Sequence, residues 1–149
     1  MKKFRFSMET VLHYREQLLD ALRVEHAAAL VRVREQEQVV ATLEQEFEDY
    51  NEEYRRRKRE GMTIADAFGF DIALRAQEKE IEKAQAVLDE YRQAEEDKRN
   101  EVIQAKTDKA TIEKLKEKKV DLYRKAVQKS EEQFIDDFVS TSRVMASAQ

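Results

Sequence analysis

Proline is absent from this 149-residue chain, and glycine occurs only twice. A chain of average composition would hold about seven prolines and about ten glycines at this length. Sandwiches, barrels and doubly wound sheets need many tight connections, and tight connections draw on these two residues. Cysteine is missing too, so no disulfide can form, and the cytoplasm is the simplest compartment. No apolar run approaches the roughly 18 residues that mark a membrane span. The basic start, Met1-Lys2-Lys3-Phe4-Arg5-Phe6, leads into Ser7, Glu9 and Glu16 rather than an apolar core, which excludes a secretory signal. Two glycines cannot build a P-loop or a dinucleotide-binding loop.

Charge, in contrast, is plentiful. Charged residues make up 40% of the chain, and 28 basic against 32 acidic side chains leave a net charge of −4. So near a balance gives no general attraction to nucleic acid. Hydrophobic residues, at 41%, argue against disorder. About half of the chain is Ala, Glu, Lys, Leu or Arg, the composition of long helices and coiled coils.

The order of residues bears this out. Met8, Leu12, Arg15, Leu19, Leu22, His26, Ala29, Val33, Gln36, Val40, Leu43, Phe47, Tyr50 and Tyr54 alternate steps of four and three. That spacing holds one stripe on one side of a slightly underwound helix, which is a coiled-coil seam. Val11, Leu18, Leu30 and Val39 widen it, and the opposite face is Glu, Gln and Arg. A helix from about 7 to 60 would be roughly 80 Å long.

Both glycines then fall within nine residues, at Gly61 and Gly69. Gly61 follows the cationic run Arg55–Arg59 as a C-terminal cap would. Thr63 and Asp66 stand at the reciprocal positions of a capping-box-like start. One turn is therefore expected at about 61–63, with Gly69 a weak point in the first turns of a second helix over about 64–139. Residues 140–149 are small and polar and are expected to fray.

The second helix repeats the pattern through Leu74, Gln77, Ile81, Ala84, Leu88, Tyr91, Glu95, Lys98, Val102, Ala105, Lys109 and Ile112. A further step of three to Leu115 reads as a stammer, which overwinds the pair. Beyond it two seams compete: Leu115, Leu122 and Ala126, or Val120, Tyr123, Val127 and Phe134. The fold class expected is all-α, a single-domain two-helix antiparallel coiled-coil hairpin with the second helix longer. Folding back at 61–63 makes paired residue numbers add to about 128, with Met8 opposite the region of Val120. Val127, Phe134 and Phe138 then project past the N-terminus, and exposed aromatics of that kind call for a partner.

Catalytic chemistry has no foothold. His13 and His26 lie far apart, without the neighbours a metal site needs, and His26 falls on the seam. The adjacent carboxylates Glu52-Glu53, Glu95-Glu96 and Asp136-Asp137 splay around a helix, where no cleft is expected to shift their pKa values. No enzymatic activity, cofactor or metal is expected. The run Arg55–Arg59 could meet phosphate or lipid, but it also complements a helix C-terminus and spreads around the helix, which is the simpler reading. Phe47, Tyr50 and Tyr54 share one stripe near the turn, where aromatics are either core or anchors for a partner.

The opening Phe4-Arg5-Phe6-Ser7-Met8-Glu9-Thr10-Val11-Leu12-His13-Tyr14-Arg15 resembles the F-x-F-x-[LM]-x-x-[VL]-L-x-x-R start of the flagellar FliJ family. The block Asp49-Tyr50-Asn51-Glu52-Glu53-Tyr54-Arg55, with Gly61-Met62-Thr63 after it, is similar to that family's stretch before its hairpin turn. The resemblance implies a soluble stalk-like component of the flagellar type III export apparatus. It implies three partners: the hexameric export ATPase, the cytoplasmic domain of the export gate, and free export chaperones. It also implies a place on the cytoplasmic side of the cell membrane, held there peripherally by the apparatus, and no nucleic acid. Tyr50 and Tyr54 fall in the gate-facing surface, with Phe47 one turn earlier. The family's aromatic and leucine on the second helix read Ala73 and Gln77 here, so Phe70 and Leu74 are the substitutes expected. The ring-binding set implied is Phe4, Phe6 and Val11 with Tyr123, Val127, Phe134 and Phe138. A structural or prefoldin-like scaffold without an ATPase partner is the alternative. The two are first separated by the fold-back itself. A cross-linker joining sites introduced near Leu43 and Leu88 is expected to act within one chain, and cross-links formed only between chains would point to a parallel self-dimer.

Overall fold

The computed structural model describes residues 2–148; positions 1 and 149, the second of them in the tail expected to fray, lie outside the described residues. Two helices account for nearly all of the rest, α1 at Glu9–Glu60 and α2 at Ile64–Ser147. The chain is an all-α two-helix hairpin whose second helix, at 84 residues against 52, is the longer.

Each boundary has a local cause. Residues 7 and 8 form a turn, with the Phe6 carbonyl accepting from the Glu9 amide at 3.2 Å, so α1 starts two residues later than expected. Gly61 takes a φ of 100°, a conformation L side chains rarely adopt, and this turns the chain out of α1. The Thr63 hydroxyl then accepts from the Asp66 amide at 3.1 Å and caps the start of α2, one half of the expected capping box. Gly69 does not interrupt α2, because neighbouring Phe70 is buried and anchors that turn. Nor does α2 end near 139. It continues to Ser147, with the Val144 carbonyl accepting from the Ala148 amide at 3.2 Å. No glycine or proline follows Gly69, so nothing in the backbone stops a helix that extends at little cost per residue.

The packing forms two compact units, Asp20–Ile103 and the segments flanking it on both sides. Within Asp20–Ile103 the two helices run antiparallel around Val33, Val40, Ala84 and Leu88, with Leu43 and Tyr91 packed against them. In the flanking unit Leu12, Leu19 and Ala105 are buried. Every position of the two heptad series, from Met8 to Tyr54 and from Leu74 to Ile112, is buried or half-buried. The numbers of contacting partners, such as Tyr54 with Phe70, His26 with Glu95 and Glu9 with Lys116, add to 120–129. Most lie a few below the expected 128, and four residues is about one helical turn.

The structure also decides between the competing seams beyond Ile112. Val120, Tyr123 and Val127 are half-buried, whereas Leu122 and Ala126 are exposed. Leu115 and Lys116 are both half-buried, so the stripe runs Ile112, Lys116, Val120, Tyr123, Val127. Two successive steps of four make a stutter, which unwinds the pair locally, in place of the expected overwinding stammer.

The two glycines should respond oppositely to the same change. A Cβ at Gly69 meets nothing within 4 Å inside a regular helix, so Gly69→Ala should stabilise the chain by about 0.5–1 kcal/mol. At Gly61 the positive φ makes alanine strained, and Gly61→Ala should destabilise by about 1 kcal/mol or more. Urea midpoints that move in the same direction for both variants would contradict this.

Candidate interaction surfaces

The aromatic cluster beside the turn belongs to the unit Asp20–Ile103. Phe70 reaches across from α2, with ring centroids 4.9 Å from both Tyr50 and Tyr54. Tyr54 and Phe70 are buried; Tyr50, Phe47 and Leu74 are half-buried. The five residues expected at the gate-facing surface thus share one interhelical seam, and two of them have little surface left. Cations close the cluster over: Lys58 Nζ lies 3.8 Å from the Tyr54 ring centroid, and the Arg57 guanidinium 5.6 Å from that of Phe70. Part of the run Arg55–Arg59 therefore covers rings, while Arg56 pairs with Glu53 and Glu60 along α1.

The residues expected at the ring-binding surface lie in the flanking unit. Phe4 packs on Tyr123 at 5.5 Å between centroids, and the Tyr123 hydroxyl donates to the Lys2 carbonyl at 2.7 Å. Lys116 bonds Glu9 at 2.9 Å, with the Phe6 ring nearby. These contacts fold the first residues back against α2. Phe4, Phe6 and Val127 are half-buried, and Val11 lies just on the exposed side. Phe134 and Phe138 are 72% and 65% exposed. From Gln128 to Ala148 every residue is exposed. The set splits into a packed half and an unpartnered half. Ile135, Val139, Val144 and Met145 add to the exposed apolar surface; Val144 and Met145 lie in the stretch 140–149 expected to fray, and Ile135 and Val139 lie within the expected helix but off the stripe singled out there.

A buried polar knot was missed as well. Glu95 stands in the seam, where its carboxylate accepts from His26 Nε2 at 2.8 Å and from Arg99 at 2.7 and 3.1 Å. The Arg99 guanidinium foremost, and then the His26 bond, outweigh burial and lower the Glu95 carboxyl from 4.5 to about 2. This corrects the expectation that no carboxylate among the adjacent pairs is shifted. A two-helix seam lacks a cleft, but it supplies donors from both helices. Lys98 is handled in the same way, bonded to Glu25 at 2.9 Å and Glu101 at 3.1 Å, and its pKa is raised. Gln77 is the exception, with its buried Oε1 lacking a hydrogen-bond partner. Another signal in the sequence was legible but unused. Ile64, Phe68 and Ile72 repeat every four residues, and all three are exposed.

Among the described residues no group of three His, Cys, Asp or Glu side chains is arranged to hold a metal ion. Among the same residues no helix is long and apolar enough to cross a membrane.

The knot has a pH signature. The unfolded Glu95 carboxyl takes up its proton near 4.5 and the folded one near 2, so the unfolded state binds more protons between these values. Stability from this group is fully present above that window and is lost as pH falls through it. The difference in thermal midpoint between wild type and Glu95→Gln should be constant above about pH 5.5 and shrink toward pH 2. A difference that does not change over this range would show that the carboxylate charge contributes nothing.

The family model described as flagellar FliJ protein matches residues 4–146. Neither the curated proteins nor the solved structures compared with the chain match it. The matched span takes in the packed N-terminal aromatics, the turn with its aromatic cluster, and almost all of the exposed end of α2. The chain belongs to the flagellar FliJ family and has a role related to flagellar protein export.

Proposed function

We propose that the chain is a stalk-like, non-catalytic component of the flagellar export apparatus. It engages the hexameric export ATPase and the cytoplasmic domain of the export gate, and it escorts free export chaperones. It works at the cytoplasmic side of the cell membrane, held there by the apparatus. Family membership supports the setting. The observation that carries the reading is the seam left open beyond Val127. Phe134 and Val144 continue the spacing of Val120, Tyr123 and Val127, with Phe138 one turn beyond Phe134, and all three are exposed. A heptad seam without its second strand is half of an interface.

Two surfaces take separate parts. The ring-binding surface is Phe4, Phe6, Val11, Tyr123, Val127, Phe134 and Phe138. Within it the packed residues hold the N-terminal segment in place, and Phe134 and Phe138 are the anchors. The gate-binding surface is Phe47, Tyr50, Tyr54, Phe70 and Leu74. Here the half-buried Phe47, Tyr50 and Leu74 meet the partner, and the buried Tyr54 and Phe70 set their positions.

The purified chain should raise the ATPase rate of the cognate export ATPase. The double change Phe134→Ser and Phe138→Ser should weaken that stimulation about tenfold or more in half-maximal concentration, since truncating an interface anchor typically costs 2 kcal/mol or more. Helicity should be unchanged, because both side chains are exposed. Absence of stimulation by the wild-type chain would favour the scaffold alternative.

A further inference from the structure

The first turns of α2 are apolar on two sides. Ala67, Phe70 and Leu74 face α1 and are buried or half-buried. Ile64, Phe68 and Ile72 lie about a third of a helical turn away and are 91%, 65% and 55% exposed. Ala65, Gly69 and Ala76 fill in the same outer face, and nothing stands within 4 Å of a Cβ built at Gly69. This makes a convex apolar stripe about 12 Å long from Ile64 to Ile72. A helix needs only one apolar face to pack on its partner, so the second is surplus to the fold.

The charge around the stripe differs from that of the chain. Positions 55–79 hold seven cations and four anions, net +3, whereas the whole chain is −4; Asp49, Glu52 and Glu53 lie beside Arg55 and Arg59 on the neighbouring turns of α1. Arg55, Arg59, Arg75 and Lys79 form no ion pair among the described residues, and Arg57 and Lys58 lie over aromatic rings. The acidic Asp66 and Asp71 flank the stripe, and Glu60 is held by Arg56. The unpaired cations fall in two short rows, Arg55 and Arg59 one turn apart on α1, and Arg75 and Lys79 one turn apart on α2 in line with Ile64, Phe68 and Ile72. A folded acidic partner would need carboxylates at matching fixed points. A layer of anionic headgroups needs none, and its acyl boundary accepts a convex apolar ridge beside the cations.

We infer that the turn region docks on an acidic lipid bilayer, with Ile64, Phe68 and Ile72 entering the headgroup–acyl boundary and Arg55, Arg59, Arg75 and Lys79 meeting lipid phosphates. This goes beyond the ring and gate contacts, and it needs neither partner. It gives the chain a membrane contact of its own, weak and reversible because the ridge is short.

The chain contains no tryptophan, so a single introduced indole reports on one place without background. The full-length Phe68→Trp variant is mixed with vesicles of phosphatidylglycerol and phosphatidylcholine, and separately with phosphatidylcholine alone. Its emission should shift to the blue with the acidic vesicles, stay unshifted with the neutral ones, and return toward the unbound position as salt is raised. Replacing Arg55 and Arg59 by Gln in the same background should weaken binding several-fold. In flotation, Phe68→Ser should lower the wild-type partition onto acidic vesicles roughly tenfold. A Phe134→Trp variant, with its probe on the exposed end of α2, should show no shift. An unchanged Phe68→Trp spectrum with acidic vesicles overturns the inference, whether or not the chain binds an acidic protein. So does an equal shift with neutral vesicles, or a shift confined to Phe134→Trp.

Discussion

Each of the two compact units depends on a narrow seam between α1 and α2. Among the described residues α1 packs on α2 alone, and α2 on α1 and the short N-terminal segment, so each buries apolar surface only along the stripe that faces them. The buried set is accordingly thin: Leu12, Leu19, Val33, Val40, Ala84, Leu88, Val102 and Ala105, with Tyr54 and Phe70 beside the turn. A seam of this kind gains stability by continuity rather than by depth. An unbroken spacing matters more than the size of any one side chain, and the absence of proline keeps that spacing intact.

Continuity does not require every position to be apolar. Glu95 and Lys98 interrupt the stripe on α2, and each is met by a partner on α1 as well as one on its own helix. Leucines slide past one another at small cost; a carboxylate buried between a histidine on one helix and an arginine on the other does not. A shift by one turn would leave Glu95 without its His26 donor while still excluded from water. The polar positions therefore act on register, and the apolar ones supply most of the burial.

What the seam leaves over is where function is to be sought. Two surfaces hold apolar groups the hairpin does not need, the open seam with Phe134 and Phe138 and the outward ridge Ile64, Phe68 and Ile72, while the seam rings Phe47 and Tyr50 keep part of their surface exposed. Among the described residues no group of three His, Cys, Asp or Glu side chains that could hold a metal ion accompanies them, and membership of the flagellar FliJ family places the chain in a setting related to flagellar protein export.

The sequence by itself determined the two helices, their single turn and the identity of the seam. These follow from local rules: a four–three spacing, a glycine free to take positive φ, and a threonine placed to cap the next helix. It also carried the family resemblance, in Phe4 to Arg15 and in Asp49 to Arg55. Only the tertiary structure decided matters that depend on two strands at once. Which of the competing seams past Ile112 is used turned on what lies opposite, namely Phe4 and the Lys2 carbonyl against Tyr123. The pairing of His26 with Glu95 joins residues 69 positions apart, which no spacing rule connects. Whether an aromatic is core or surface was open for the same reason. Tyr54 and Phe134 occupy equivalent heptad positions, and one is buried while the other is bare because only one of them has a helix across from it.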